Sequence, residues 1–481
     1  MKARFIPVLL IVAMDGTLSR AQNSTVAHEA VPAPRAVNTN IPYADAEPIL
    51  NTLRQDLLPS DLRGKTATER ASEWPGWVAR RDAQIRERLT RGDEDSILNF
   101  LLFGTTFTTL PRATERDLES LAGRPAEAAV VFKGRIDDFA VGVASPGSNE
   151  RLQFAREVIQ VKGIDPGSKA GAAQMRTYLA EGLTRVSAEI ASYNRAIVSA
   201  NLLSDPRAGL VDRLTIFRER GLSADTSIFV DHAIEQALEA VKARGLLGPD
   251  QVRRVAIIGP GLDFTNKHEG YDFYPQQTIQ PFAVIDSLIR LGLATPGDLR
   301  TTALDLSSRV NQHLGAARRR ATDGGPYVVE LPRNSDQAWT PPLVTYWERF
   351  GDRIGEEVKA VPVPPDAGRV HLRAVSVGPE IVLSIAPVDL NIVLQRLEPS
   401  AGGFDLIIAT DVLIYYDIFE QSLALANIAK MLRPGGLFLT NNPVFELPAT
   451  PMSQIGYTDV IYMKLPEIGE SGDRIVWFRR E

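Results

Sequence analysis

The stretch Phe404–Asn442, FDLIIATDVLIYYDIFEQSLALANIAKMLRPGGLFLTNN, decides the fold of this 481-residue chain. Phe404 to Ala409 is an apolar run with one charge, the pattern of a strand covered on both faces. Leu425, Ile428 and Leu432 follow at helical spacing, and Arg433-Pro434-Gly435-Gly436 stops the helix and turns the chain. Leu437 to Thr440 resumes an apolar strand. Strand, helix and strand at this length imply a parallel sheet, in which ligands bind at the carboxyl ends of the strands. That end is Thr410-Asp411, so Asp411 stands where chemistry is expected.

Two segments upstream extend the pattern. Val255 to Ile258 is an apolar strand running into Gly259-Pro260-Gly261-Leu262-Asp263, and glycine there lets the backbone turn tightly and approach a ligand. Leu299 to Leu306, LRTTALDL, is a short strand with Asp305 near its end. A carboxylate in that position can accept both hydroxyls of a ribose.

In this order the glycine turn, the acid after the next strand, the FDLIIATDVL strand and the LRPGG turn resemble class I S-adenosylmethionine (SAM) dependent methyltransferases, over roughly the second half of the chain. The resemblance implies a Rossmann-like α/β sheet domain with SAM as cofactor and an unidentified methyl acceptor. It implies cofactor contacts from Gly259, Gly261 and Asp263 around the turn, and from Asp305 at the ribose. It also implies Asp389, with Leu390, beside the adenine, and Asp411 facing the transferred methyl group. Asp411 and Tyr415 are the catalytic candidates, needed as bases only if the acceptor must lose a proton. Ile257 stands where the family usually has an acid, and Asp263 where it has a third glycine. Asp411 to Asp417, DVLIYYD, is also similar to the strand-four motif of chemotaxis-receptor glutamate methyltransferases. Thr410-Asp411 replaces their Arg-Asn pair, so their substrate is not carried over. The alternative reading is an exported, non-enzymatic binding protein on a degenerate methyltransferase fold. A dinucleotide-dependent oxidoreductase would need glycine where Phe264 stands.

Composition narrows the classes further. Hydrophobic content of 44% and charged content of 23% are those of a globular protein with two or three domains. A net charge of −6 offers no basic field for nucleic acid. Without cysteine there is no disulfide, thiol nucleophile or thiolate metal site, and no His/Asp/Glu spacing suggests a metal.

Residues 1–21 read as a signal peptide: Lys2 and Arg4, an apolar stretch from Phe5 to Met14, then Ser19 and Ala21 at the spacing a signal peptidase reads. The apolar stretch is too short to span a bilayer, so no transmembrane anchor is expected after its removal. Export sits uneasily with SAM, a cytoplasmic metabolite, and localisation stays open between the two. Residues 22–45 read as a linker and 46–248 as a mainly helical domain preceding the sheet domain at 249–481. Within the helical part, Trp77 to Leu89 is an amphipathic helix, and Asp95 or Ser96 starts another before Ile97. Met175 to Ile197 is a long helix, and Ser227 caps one that Gly245 ends. Two inserts, at about 264–282 and 322–366, interrupt the sheet domain. The first carries His268, Glu269, Tyr271, Asp272 and Tyr274 and reads as a lid over the cofactor; the aromatics of the second read as packing.

Overall fold

The computed structural model describes residues 38–122, 124–202, 217–218, 220–263, 271–398, 402–442, 444, 446–448, 450–465 and 469–481. The expected signal peptide lies outside the described residues, as do His268 and Glu269. The expected linker does not extend to residue 45. Strand β1 (Asn38–Asn40) pairs antiparallel with a strand near residue 396, and a helix begins at Tyr43.

The apolar runs form the centre of one seven-stranded sheet. Its members are β2 (Arg254–Ile258), β3 (Arg300–Asp305), β7 (Ile385–Asp389), β9 (Phe404–Ala409), β10 (Leu432–Thr440), β11 (Met452–Leu465) and β12 (Gly469–Arg480). Spatial order is β11-β12-β10-β9-β2-β3-β7; the five strands from β10 to β7 are parallel, and β12 runs antiparallel to both its neighbours. The chain thus has the Rossmann-like α/β architecture that the resemblance implied. The order reverses at β2, whose neighbours β3 and β9 diverge to either side, so the switch point lies at the carboxyl ends of β2 and β9.

Side chains alternate across the sheet and sort the core into two layers. Val255 and Ile257 join Leu406, Ile408, Leu437, Leu439 and Trp477 on one face, under helices Ile228–Ala243, Gln280–Arg290 and Ser308–Thr322. Ala256, Ile258, Ile407 and Phe438 point the other way, under helix Ile418–Met431 and the N-terminal helices. The LRPGG turn is a bulge at the start of β10, with register shifting between Leu432 and Leu437 and Gly435 at φ 74°. Ser227 caps its helix by accepting from the Phe229 N–H at 3.3 Å, and Gly245 (φ 70°) follows its end.

Two boundaries differ from the sequence reading. No helix starts at Asp95 or Ser96: a single helix runs from Ala67 to Phe103, 37 residues, opened by a Thr66–Glu69 capping box. The carboxylates that could have turned back to cap are engaged by cations of other elements, Asp93 by Arg309 at 2.8 Å and Asp95 by Arg185 at 2.5 Å. This helix serves both layers. Trp74, Trp77 and Ile85 pack on the sheet, while Ile97 to Phe103 enter a separate core with helices Lys133–Ala144, Glu150–Val161 and Lys169–Leu202. Residues 46–248 are therefore divided between the sheet layers and a helical lobe. The second insert is longer than expected, folding as a three-stranded antiparallel sheet of β4 (Tyr327–Asn334), β5 (Gly355–Val358) and β6 (Val370–Val377) in the order β4-β6-β5. The remaining strand, β8 (Gln395–Leu397), is the partner of β1. Among the described residues no helix is long and apolar enough to cross a membrane.

Candidate cofactor and acceptor site

At the switch point β2 ends in the glycine turn. Gly259 and Gly261 both adopt left-handed backbone, with φ 66° and 72°. A Cβ on Gly259 would lie 2.5 Å from Val412 Cγ2, and one on Gly261 would lie 2.6 Å from the Asp225 carbonyl oxygen. Neighbours approach the turn from two sides, closer than any side chain allows. The Gly259 N–H donates to the Leu304 carbonyl at 2.8 Å, the Gly261 N–H to the Asp305 carboxylate, and the Leu262 N–H to the Ala224 carbonyl.

Asp305 sits at the end of β3, directly opposite Asp389 at the end of β7. Its Oδ1 also accepts from the Ser307 N–H at 2.7 Å. Burial pushes this carboxyl up to about 7; the two backbone donors pull it down and the Asp389 charge pushes it further up. Asp389 is exposed and is clasped by Arg86 of the long helix, Nη2 to Oδ1 at 2.7 Å and Nη1 to Oδ2 at 3.3 Å. Arg86 is braced in turn by Asp82 at 2.9 Å, and Asp82 receives the Asn391 side chain at 2.8 Å. Leu390 contributes its N–H to the Asp305 carbonyl at 3.2 Å, while its side chain is buried in the core. Four of the expected cofactor residues, Gly259, Gly261, Asp305 and Asp389, thus share one edge, with Leu390 present through its backbone.

Asp263 departs from this group. It bridges Gln277, donating its N–H to the Gln277 carbonyl at 2.6 Å, and its side chain is buried among Gln277, Tyr274 and Arg151. The described part of the first insert is fastened and does not hang over the sheet as a free lid. Asp272 accepts from the N–H groups of Thr105 and Thr106 at 2.7 and 3.0 Å and from both their hydroxyls. Arg151 reaches the Asp272 carbonyl at 3.1 Å.

Asp411 is exposed at the end of β9 and is also left-handed, with φ 55°. Such backbone costs a non-glycine residue about 1–3 kcal/mol. Asn441, at the end of β10, holds it with a reciprocal pair: the Asp411 N–H donates to Asn441 Oδ1 at 2.9 Å and Asn441 Nδ2 donates to Asp411 Oδ1 at 2.8 Å. Asn441 also donates to Asp473, which receives the Tyr462 hydroxyl at 2.8 Å. Burial raises the Asp473 carboxyl above its ordinary range, and the Asp411 charge raises it further. Tyr415 belongs to a different set of contacts. Its ring lies 6.2 Å from Phe217, its carbonyl accepts from Arg88 at 2.8 Å, and it lines a cavity of about 20 Å³ with Asn99, Arg220 and Ser223. The structure therefore does not join the two catalytic candidates.

Sequence reasoning missed Arg86, Asn441, Asp473 and Tyr462. Asn441 carried a signal, since it follows a parallel strand adjacent to β9 at the ligand-binding edge. No group of three or more His, Asp or Glu among the described residues could hold a metal.

No family model and no curated protein matches the chain. Among solved structures it is similar to magnesium protoporphyrin IX methyltransferase from Synechocystis PCC 6803 with bound SAM. There the identity is 11%, the TM-score 0.24, and the match covers 60% of this chain and 97% of that one. It is similar to TrmN from Thermus thermophilus at 13% identity and TM-score 0.26, covering 55% and 53%. A third is an S-adenosylmethionine-dependent methyltransferase from Clostridium acetobutylicum ATCC 824, at 10% and 0.24, covering 53% and 93%. Likenesses this distant transfer no residue roles.

Proposed function

We propose that the protein is a SAM-dependent methyltransferase. The observation that carries this reading is the meeting of Gly259, Gly261, Asp305 and Asp389 on the carboxyl edge of β2, β3 and β7, one strand away from Asp411. The residues fit the cofactor in two respects. The two left-handed glycines make the tight turn that ends β2 without side chains of their own, and Asp305 is a partly buried carboxylate able to accept both ribose hydroxyls. Gly259 and Gly261 would hold the methionine end, Asp305 the ribose and Asp389 the adenine. When bound, the sulfonium supplies an electrophilic methyl group.

The remaining work falls to the chain itself: orienting a nucleophile and excluding water. Asn441 fixes the Asp411 carboxylate at the edge, and Ala224 and Asp225 lie against the glycine turn, shielding it. Because those contacts and the Arg86–Asp389 pair already use the edge, loading the cofactor requires them to yield. The same contacts favour a second reading, a binding protein whose degenerate site satisfies itself.

Calorimetric titration of SAM and its demethylated product into the protein separates the two. Micromolar binding, weakened in Asp305→Ala by about 1.5–3 kcal/mol through loss of hydrogen bonds to a charged group, supports the enzyme. No binding by folded protein supports the scaffold.

A further inference from the structure

Beside the exit of the glycine turn lies a cavity of about 30 Å³. Phe229, Trp339, Tyr274, Ile279 and Leu331 wall it, and Asp263 is the carboxylate in its lining. Phe229 and Trp339 meet edge to face, with ring centroids 5.2 Å apart. Asp263 is only 3% exposed. Its Oδ2 accepts from Gln277 Nε2 at 3.4 Å and the Tyr274 side chain also bonds the carboxyl, but Oδ1 has no hydrogen-bond partner. Leaving an oxygen of a buried carboxylate unpaired is costly. Around it, Arg151 favours the charged form, with Nη2 3.5 Å from the Asp263 carbonyl, and Asp225 opposes it.

These features select a ligand. Arg151 lies 5.2 Å from the Tyr274 ring centroid and Arg333 5.7 Å from that of Trp339, and the unpartnered carboxylate oxygen among these rings still attracts a further cation and repels anions. The space suits about two heavy atoms, at roughly 10–15 Å³ for each water-sized group. A chain of side-chain contacts runs from the cavity wall to the acceptor end of the sheet. Phe229 lies 5.5 Å from the ring of Tyr462, whose hydroxyl donates to Asp473, which shares Asn441 with Asp411.

We propose that this cavity is the head-group pocket for a primary ammonium, seated by Asp263 against Phe229 and Trp339, and that the methyl acceptor is accordingly an amine. The acceptor clause rests on the methyltransferase reading; the pocket does not. An ammonium must lose a proton before its nitrogen has a lone pair to offer. Asp263 is the carboxylate in the cavity lining that can accept that proton.

The test is saturation-transfer NMR on the full chain without SAM, using n-propylammonium and its neutral analogue n-propanol as probes. Saturation of the ammonium, at least about five-fold weaker for propanol and lost in the near-isosteric Asp263→Asn, is the expected result. Equal signals from the two probes, or an ammonium signal unchanged in a folded Asp263→Asn, overturns the pocket. Should Asp263→Asn fail to fold, Trp339→Leu decides: a reduced ammonium signal supports the pocket and an unchanged one overturns it. SAM titration keeps the two readings apart. SAM binding without ammonium binding overturns the pocket and leaves the methyltransferase standing. Ammonium binding without SAM binding supports the pocket and removes the methyltransferase.

Discussion

Replacing Asp305 with Asn should stabilise the protein and cripple its cofactor site, and the stabilisation should depend on pH in a specified direction. The Asp305 carboxyl is raised from 3.8 to about 7, chiefly by burial. A carboxyl whose folded value is raised costs stability once pH exceeds the unfolded value, and that cost grows until pH passes the folded value. Between pH 6 and pH 8 the native carboxyl releases its proton while the unfolded one has none left to release. Integrated over that window the cost is about one pKa unit, or about 1.4 kcal/mol. Partial exposure of Asp305 to solvent discounts this to about 1 kcal/mol. Asn keeps the shape, can still accept the Ser307 N–H through its amide oxygen, and carries no charge to titrate. The melting advantage of Asp305→Asn over the unsubstituted protein should therefore widen by roughly 2 °C from pH 6 to pH 8 and stay flat above. SAM affinity at pH 8 should fall about 10- to 150-fold, since a hydrogen bond to a charged group is worth about 1.5–3 kcal/mol. Melting curves at matched ionic strength and calorimetry on the same samples read both quantities. A variant advantage constant from pH 6 to pH 8 would falsify the buried-carboxyl reasoning, and unchanged SAM affinity would remove Asp305 from the ribose.

Two further substitutions probe the same edge. Gly261→Ala combines a left-handed backbone with a Cβ placed 2.6 Å from the Asp225 carbonyl, so it should lower stability by about 1–3 kcal/mol and shift the melting point accordingly. A melting point within error of the unsubstituted protein would mean that the 224–225 segment does not rest on the turn. Arg86→Ala breaks a pair whose side chains are 33% and 52% exposed, so its stability cost should stay below about 1 kcal/mol. By freeing Asp389 it should tighten SAM binding about 1.5- to 5-fold in calorimetry; weaker binding would show that Arg86 itself holds the cofactor.

What the sequence disclosed follows from local chemistry. β2, β9 and β10 are covered on both faces, so they appear as unbroken apolar runs, and the glycines between them mark turns whose left-handed backbone favours glycine. The helix from Ile228 was readable because its start and stop are both side-chain signals, Ser227 and Gly245. The hairpin of β11 and β12 gave no such signal. It lies at the edge of the sheet, where polar residues such as Asp459 and Arg474 pair across strands at 2.6 Å and interrupt the apolar pattern. The start assigned at Asp95 failed for a related reason: a potential capping carboxylate looks the same in sequence whether it bonds its own backbone or an arginine 90 positions away. Arg86 and Asp389 are 303 positions apart, and nothing local to either announces the other.

The long helix explains why the helical lobe bears on a site built from the sheet. At 1.5 Å per residue its 37 residues extend about 55 Å. One end is fixed on the sheet by Trp74 and Trp77, stacked at 4.9 Å, and the other in the lobe by Phe100, edge to face with Phe139 at 5.4 Å. Between these anchors the helix presents Arg86 to Asp389, Arg88 to the Tyr415 carbonyl and Asp93 to Arg309. Arg151 and the Asp272 bonds tie the same lobe to the insert that follows the glycine turn. The edge that would receive a cofactor is thereby bounded by Arg86 on one side and by the fastened insert on the other.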